Sequence, residues 1–91
     1  MTRILIADDH AVVRSGLRAI LEAHEGWEVV GEARDGKQAI DQALALRPDV
    51  VVLDYALPLV NGVEATRQIR GRVPGIEVLI FTMPGAPNDC M

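Results

Sequence analysis

The chain has 91 residues, of which 49% are hydrophobic and 24% charged, with a formal net charge of -4 at pH 7. That length bounds it to one small domain, and the composition excludes a disordered chain. No Lys/Arg-rich run marks a nucleic-acid-binding face, no apolar run reaches membrane-spanning length, the N-terminus has no signal-peptide pattern, and the one cysteine, Cys90, fits a reducing cytoplasm.

Taken in order, Arg3-Ile4-Leu5-Ile6-Ala7 reads as a short apolar strand that ends in Asp8-Asp9. A helix follows, started by Asp9 or His10, with Val13, Leu17, Ile20 and Leu21 along one face and Gly26 as its stop. Trp27 to Ala33 alternates only in part and predicts an edge strand. Asp35-Gly36-Lys37-Gln38 resembles a capping box and opens a second helix, whose apolar face is Ala39, Ile40, Ala43 and Leu44 and whose stop is Pro48. Val50-Val51-Val52-Leu53 is a strand apolar on both faces, closed by Asp54. The loop from Tyr55 to Val60 leads to a third helix started by Asn61 and Glu64, with Val63, Thr66 and Ile69 facing inward. Gly71, Pro74 and Gly75 close it, and Glu77 to Phe81 is a fourth strand ending in Thr82. Met83 to Met91, with two prolines and a glycine, reads as an irregular tail.

The order βαβαβαβ predicts an α/β fold: a doubly wound parallel sheet with right-handed crossovers and helices on both faces. Three of the four strands then end in polar residues at one edge, as Asp8-Asp9, Asp54 and Thr82, which is where such sheets bind ligands. Three carboxylates there repel, each pair by roughly 3 kcal/mol at about 5 Å and an effective dielectric near 20. Oxygen-only ligands with open positions suit Mg²⁺, and one carboxylate could then attack a phosphoryl group.

With those residues in place, the chain resembles a known family. Ile4-Leu5-Ile6-Ala7-Asp8-Asp9-His10, Leu53-Asp54 with Pro58 and Asn61-Gly62, and Phe81-Thr82 are similar to the receiver domain of two-component response regulators, a flavodoxin-like fold. Asp8 to Leu17 is similar to the subgroup whose receivers precede a LuxR/NarL-type DNA-binding domain. The resemblance implies strand order 2-1-3-4, Asp54 as phosphoacceptor, and Mg²⁺ held by Asp8, Asp9, Asp54 and the backbone carbonyl of Ala56. It implies Thr82 as the switch hydroxyl, Pro58 and Gly62 as residues shaping the loop, and a sensor histidine kinase as phosphodonor.

Departures from the family pattern accompany it. Residues 1–83 match a receiver that stops after the fourth strand, and 84–91 form the tail. The family's phosphate-pairing lysine has no equivalent, because the sole lysine, Lys37, stands at the start of the second helix and reads as solvated. Leu57 stands where many members have methionine. His10 reads as a rim residue at a helix start and not as a ligand, Tyr55 as a loop aromatic, and Trp27 as packing at the sheet edge. An exposed fourth strand and a partly uncovered face of the first and third strands imply a homodimer or higher oligomer. The alternative to phosphotransfer is a phosphorylation-independent dimerisation or inhibitory module. An aspartyl phosphohydrolase is disfavoured because Ala56 stands where a second acid is usual, and a dinucleotide-binding domain because no G-x-G-x-x-G follows the first strand.

Overall fold

The computed structural model describes residues 1–82. The expected tail, 84–91, lies outside the described residues. Seven elements alternate: β1 (Thr2–Ala7), α1 (Ala11–Glu22), β2 (Trp27–Ala33), α2 (Gly36–Leu46), β3 (Val50–Asp54), α3 (Gly62–Arg72) and β4 (Glu77–Phe81). The four strands are parallel and lie in the order β2-β1-β3-β4. A β-bulge between Ile4 and Leu5 interrupts the β1–β2 register.

Two apolar layers hold the sheet between its helices. On one face Leu5, Ala7, Val51 and Leu53 pack with Ala39, Ile40 and Ala43 of α2 and with Ala65 and Ile69 of α3. On the other, Ile4, Ile6 and Val29 pack under Leu17 and Leu21 of α1. The alternation along β1 serves both layers, as a central strand requires.

The helix starts form where the sequence places them. Asp35 accepts from the N–H of Gln38 at 2.7 Å, and Asn61 from that of Glu64 at 2.9 Å. The Gln38 side chain accepts in turn from the N–H of Arg34 at 2.9 Å. α1 differs: His10 stands at its N-cap, and no side chain caps it. Lys37 is solvated as expected, reaching only Asp41 at 3.3 Å.

Four expectations from periodicity need correction. Ile20 is 70% exposed, because α1 leans toward β2 and covers in part only the flank that carries Leu17 and Leu21. Val63 is 54% exposed, because the inward face of α3 is Gly62, Ala65 and Ile69. α1 stops at Glu22, ahead of Gly26, whose φ of 89° instead turns the chain into β2. β3 is buried on one face only: Val51 and Leu53 are covered, whereas Val50 and Val52 are half-buried where α1 does not reach. β1 keeps its cover on both faces, so the exposure expected there falls on β3 and β4.

One close approach ties the two core helices to the loop after β3. A Cβ on Gly36 would lie 1.7 Å from the carbonyl oxygen of Val60, and the N–H of Gly36 donates to the carbonyl of Pro58 at 3.1 Å. Gly36→Ala should therefore cost about 1–3 kcal/mol, as overpacking against rigid backbone does, read as a lower urea midpoint at unchanged slope. An unchanged midpoint would show that the loop yields freely.

Candidate functional site

The register between β1 and β3 runs from Ile4 opposite Val50 to Ala7 opposite Leu53. One residue further, Asp8 leaves β1 as Asp54 ends β3. Among the described residues these are the two buried charged side chains, 0% and 3% exposed. Asp9 and His10 follow at the rim, and one ligand atom from each of Asp8, Asp9, His10 and Asp54 lies within 4.8 Å of the others.

Asp54 is fixed by its own loop. Its Oδ1 accepts from the N–H of Ala56 at 3.2 Å, and the N–H of Tyr55 is held by the carbonyl of Phe81 at 2.8 Å. Gly62 donates to the carbonyl of Tyr55 at 2.9 Å, and a Cβ there would lie 2.7 Å from the carbonyl oxygen of Asp54. The carbonyl of Pro58 accepts from both Gly36 and Val60. Leu59, at the loop's tip, takes a left-handed φ of 69°. Pro58 and Gly62 thus meet in the loop that positions Asp54.

Asp8 is fixed from three sides. Its N–H donates to the carbonyl of Ala33 at 3.0 Å, and its own carbonyl accepts from Arg14 Nη1 at 2.6 Å. Its Oδ1 accepts from the backbone N–H of His10 at 2.7 Å. Its Oδ2 is buried and has no hydrogen-bond partner. A buried carboxylate oxygen without a donor is costly, and a bound cation is the usual remedy. The donor set is oxygen-rich and rigid, which fits a small hard divalent ion.

Electrostatics follow from this crowding. Burial, and then the charges of Asp8 and Asp9, push the Asp54 carboxyl above its ordinary value, against the opposing hydrogen bond from Ala56. The hydrogen bond its ring makes to Asp8, then the charges of Asp9 and Asp8, raise the His10 pKa above its ordinary value. Beneath the site Arg18 and Arg14 hold Glu32 below the usual carboxylate range, at 2.7 and 3.0 Å, and so anchor α1 to β2.

Of the residues singled out in the sequence, the fold brings Asp8, Asp9 and Asp54 together, with Ala56 on the adjoining loop. Thr82 follows Phe81, the register partner of Asp54, so it stands at the same edge and is exposed. Lys37 and Tyr55 are solvent-facing. Sequence reasoning missed the ring of His10, which turns back among the acids, and the Arg14–Glu32–Arg18 anchor. The pairing of Arg14 and Arg18 four residues apart signalled one helical face, and nothing in the sequence named Glu32 as its partner.

Comparison with known proteins agrees with this geometry. The family described as response regulator receiver domain matches residues 4–91. The transcriptional regulatory protein LnrK of Bacillus subtilis (strain 168) is 40% identical over 82 residues, covering 90% of this chain and 37% of LnrK. A protein-glutamate methylesterase/protein-glutamine glutaminase 2 of Pseudomonas fluorescens is 45% identical over 80 residues, covering 88% of this chain and 21% of that protein. The crystal structure of a LuxR-family two-component response regulator from Aurantimonas sp. SI85-9A1 superposes with a TM-score of 0.87 at 43% identity, over 91% of this chain and 59% of that one. The chain therefore spans well under half the length of these curated relatives.

The acid cluster has a measurable cost. Because the Asp54 carboxyl titrates above the ordinary 3.8, the folded chain holds a proton there that the unfolded chain has lost, and stability falls as pH rises through that window. In divalent-free buffer, Asp54→Asn should stabilise the fold at neutral pH by on the order of 1–3 kcal/mol, the size of the relieved repulsion. The gain should vanish below pH 3.8, where the carboxyl is protonated in both states. Urea denaturation across pH checks this, and an Asn variant no more stable at neutral pH would refute the repulsion.

Proposed function

The chain belongs to the response regulator receiver domain family, and from that premise we propose that it is a phosphoacceptor of a two-component system, with Asp54 as the residue phosphorylated. The observation that carries this reading is the unpartnered buried oxygen of Asp8 beside a desolvated Asp54. It marks a site shaped for a cation next to a carboxylate poised to react.

In this reading Asp8, Asp9, Asp54 and the carbonyl of Ala56 hold Mg²⁺. When bound, the ion neutralises phosphoryl oxygens. A carboxylate oxygen of Asp54 attacks the phosphorus of a phosphohistidine on the sensor kinase. The new O–P bond forms as the P–N bond breaks, and the leaving imidazole takes up a proton from solvent. The Ala56 N–H fixes the rotamer of Asp54, and burial keeps the attacking group poorly hydrated. Thr82, the residue after β4, is the hydroxyl that would meet the transferred group.

We take residues 1–83 as the receiver domain. The output we favour is a LuxR/NarL-type transcription factor in the cytoplasm. No helix of the described residues is long and apolar enough to cross a membrane.

A second reading is favoured by one observation. Leu79 is 60% exposed, and Ile80 beside it is also exposed, on a strand with a neighbour on one side only among the described residues. Apolar, unpaired edges associate. We infer that the chain self-associates, and a module acting by association alone would not need Asp54.

Intact-mass analysis after incubation with Mg²⁺ and acetyl phosphate should show one added phosphoryl group on the wild type and none on Asp54→Asn. An unmodified wild type would overturn the phosphoacceptor reading. Light scattering after size exclusion should give a dimer or larger species at micromolar concentration. A monomer would remove the second reading.

A further inference from the structure

His10 is the one residue of the cluster to which the phosphoacceptor reading gives no role. It is the N-cap of α1, with extended φ of -103° and ψ of 114°, yet its side chain makes no capping bond. The ring is 62% exposed and turned toward the carboxylates, with Nδ1 at 3.0 Å from Asp8 Oδ1 and 3.1 Å from Asp9 Oδ1.

We propose that His10 Nδ1 is a ligand of the divalent cation held by Asp8, Asp9 and Asp54, and that this nitrogen makes the site prefer first-row transition cations to Mg²⁺. The proposal rests on the reading of the cluster as a cation site. Two observations support it independently. Donors each about 2.1 Å from one cation and at right angles to each other are about 3.0 Å apart. The imidazole nitrogen already stands at that spacing from an oxygen of each of two acids. The other oxygen of the same Asp8 carboxylate, Oδ2, is buried without a partner and points separately to a missing cation within the cluster of Asp8, Asp9, His10 and Asp54.

The chemistry sets the selectivity. Carboxylates and carbonyls are hard oxygen donors and suffice for Mg²⁺, which gains little from a nitrogen. Imidazole suits Zn²⁺, Ni²⁺ and Co²⁺, whose affinity also rises along the divalent series. Ligation through Nδ1 leaves the proton on Nε2, and the exposed ring offers that N–H to water. A ring that merely hydrogen-bonds Asp8 has no such selectivity: its removal alters every cation alike.

The test is equilibrium binding of Co²⁺ and of Mg²⁺, each read by thermal shift and titration calorimetry, on the full chain. The variants are His10→Gln, with His24→Gln and Cys90→Ser as controls for the other nitrogen and sulfur donors. His10→Gln should weaken Co²⁺ by about tenfold or more while leaving Mg²⁺ within about twofold, and the controls should change neither. Pulsed EPR of bound Mn²⁺ should show imidazole nitrogen coupling in the wild type and none in His10→Gln. Equal Co²⁺ binding by His10→Gln, a parallel loss of Co²⁺ and Mg²⁺, dependence on His24 or Cys90 instead, or absent nitrogen coupling in the wild type would each overturn the ligand assignment while leaving the Mg²⁺ site standing. Failure of both Co²⁺ and Mg²⁺ to bind the wild type would overturn the cation site itself and the assignment with it.

Discussion

The parallel register of β1 against β3 is the constraint on which the site depends. Ala7 lies opposite Leu53, so the next residue of each strand is an aspartate, and the two meet where the sheet ends. Parallel pairing places both strand ends at one edge, where Ile6, Ala7 and Leu53 are fully buried and fix the register. A slip of one residue would turn Ile4 and Ile6 into the layer of Leu5 and Ala7. The cost of that slip is far larger than the repulsion it would relieve, so the hydrophobic layers hold two like charges together.

The remaining features keep that arrangement rigid. The loop after Asp54 is pinned at both ends: Gly62 lies against the carbonyl of Asp54, and Gly36 lies against that of Val60. Neither position has room for a side chain, so α2, α3 and the end of β3 approach as one block. On the opposite face Arg14 binds the carbonyl of Asp8 and Glu32 together, which ties the start of α1 to β1 and β2. The carboxylates of Asp8 and Asp54 are thus set by N–H groups two residues on, at His10 and Ala56, while contacts from Ala33 and Phe81 hold the backbone beneath them, and the cation site is preorganised by the fold.

The two faces of the sheet differ in cover. α2 and α3 bury one side of β1 and β3, whereas α1 covers β1 and β2 and leaves Val50, Val52 and Leu79 in partial contact with water. The same asymmetry explains Ile20. Periodicity put it on the apolar stripe of α1, but no element of the described residues stands over β3 to receive it. Val63 fails for a related reason: the glycine at 62 lets α3 approach the loop so closely that the inward direction turns toward Gly62, Ala65 and Ile69.

The sequence by itself determined the element order, the parallel sheet and the candidate acids. Short apolar runs, helix starts at Asp35 and Asn61 and polar residues at strand ends are local signals, set by propensity, capping and burial within a few residues. It could not give the distances that make the acids a site, the ring position of His10, the partner of Arg14 and Arg18, or which flank of α1 is covered. Those depend on contacts between residues far apart in the chain, which only strand register and helix placement bring together, and so tertiary structure alone decided them.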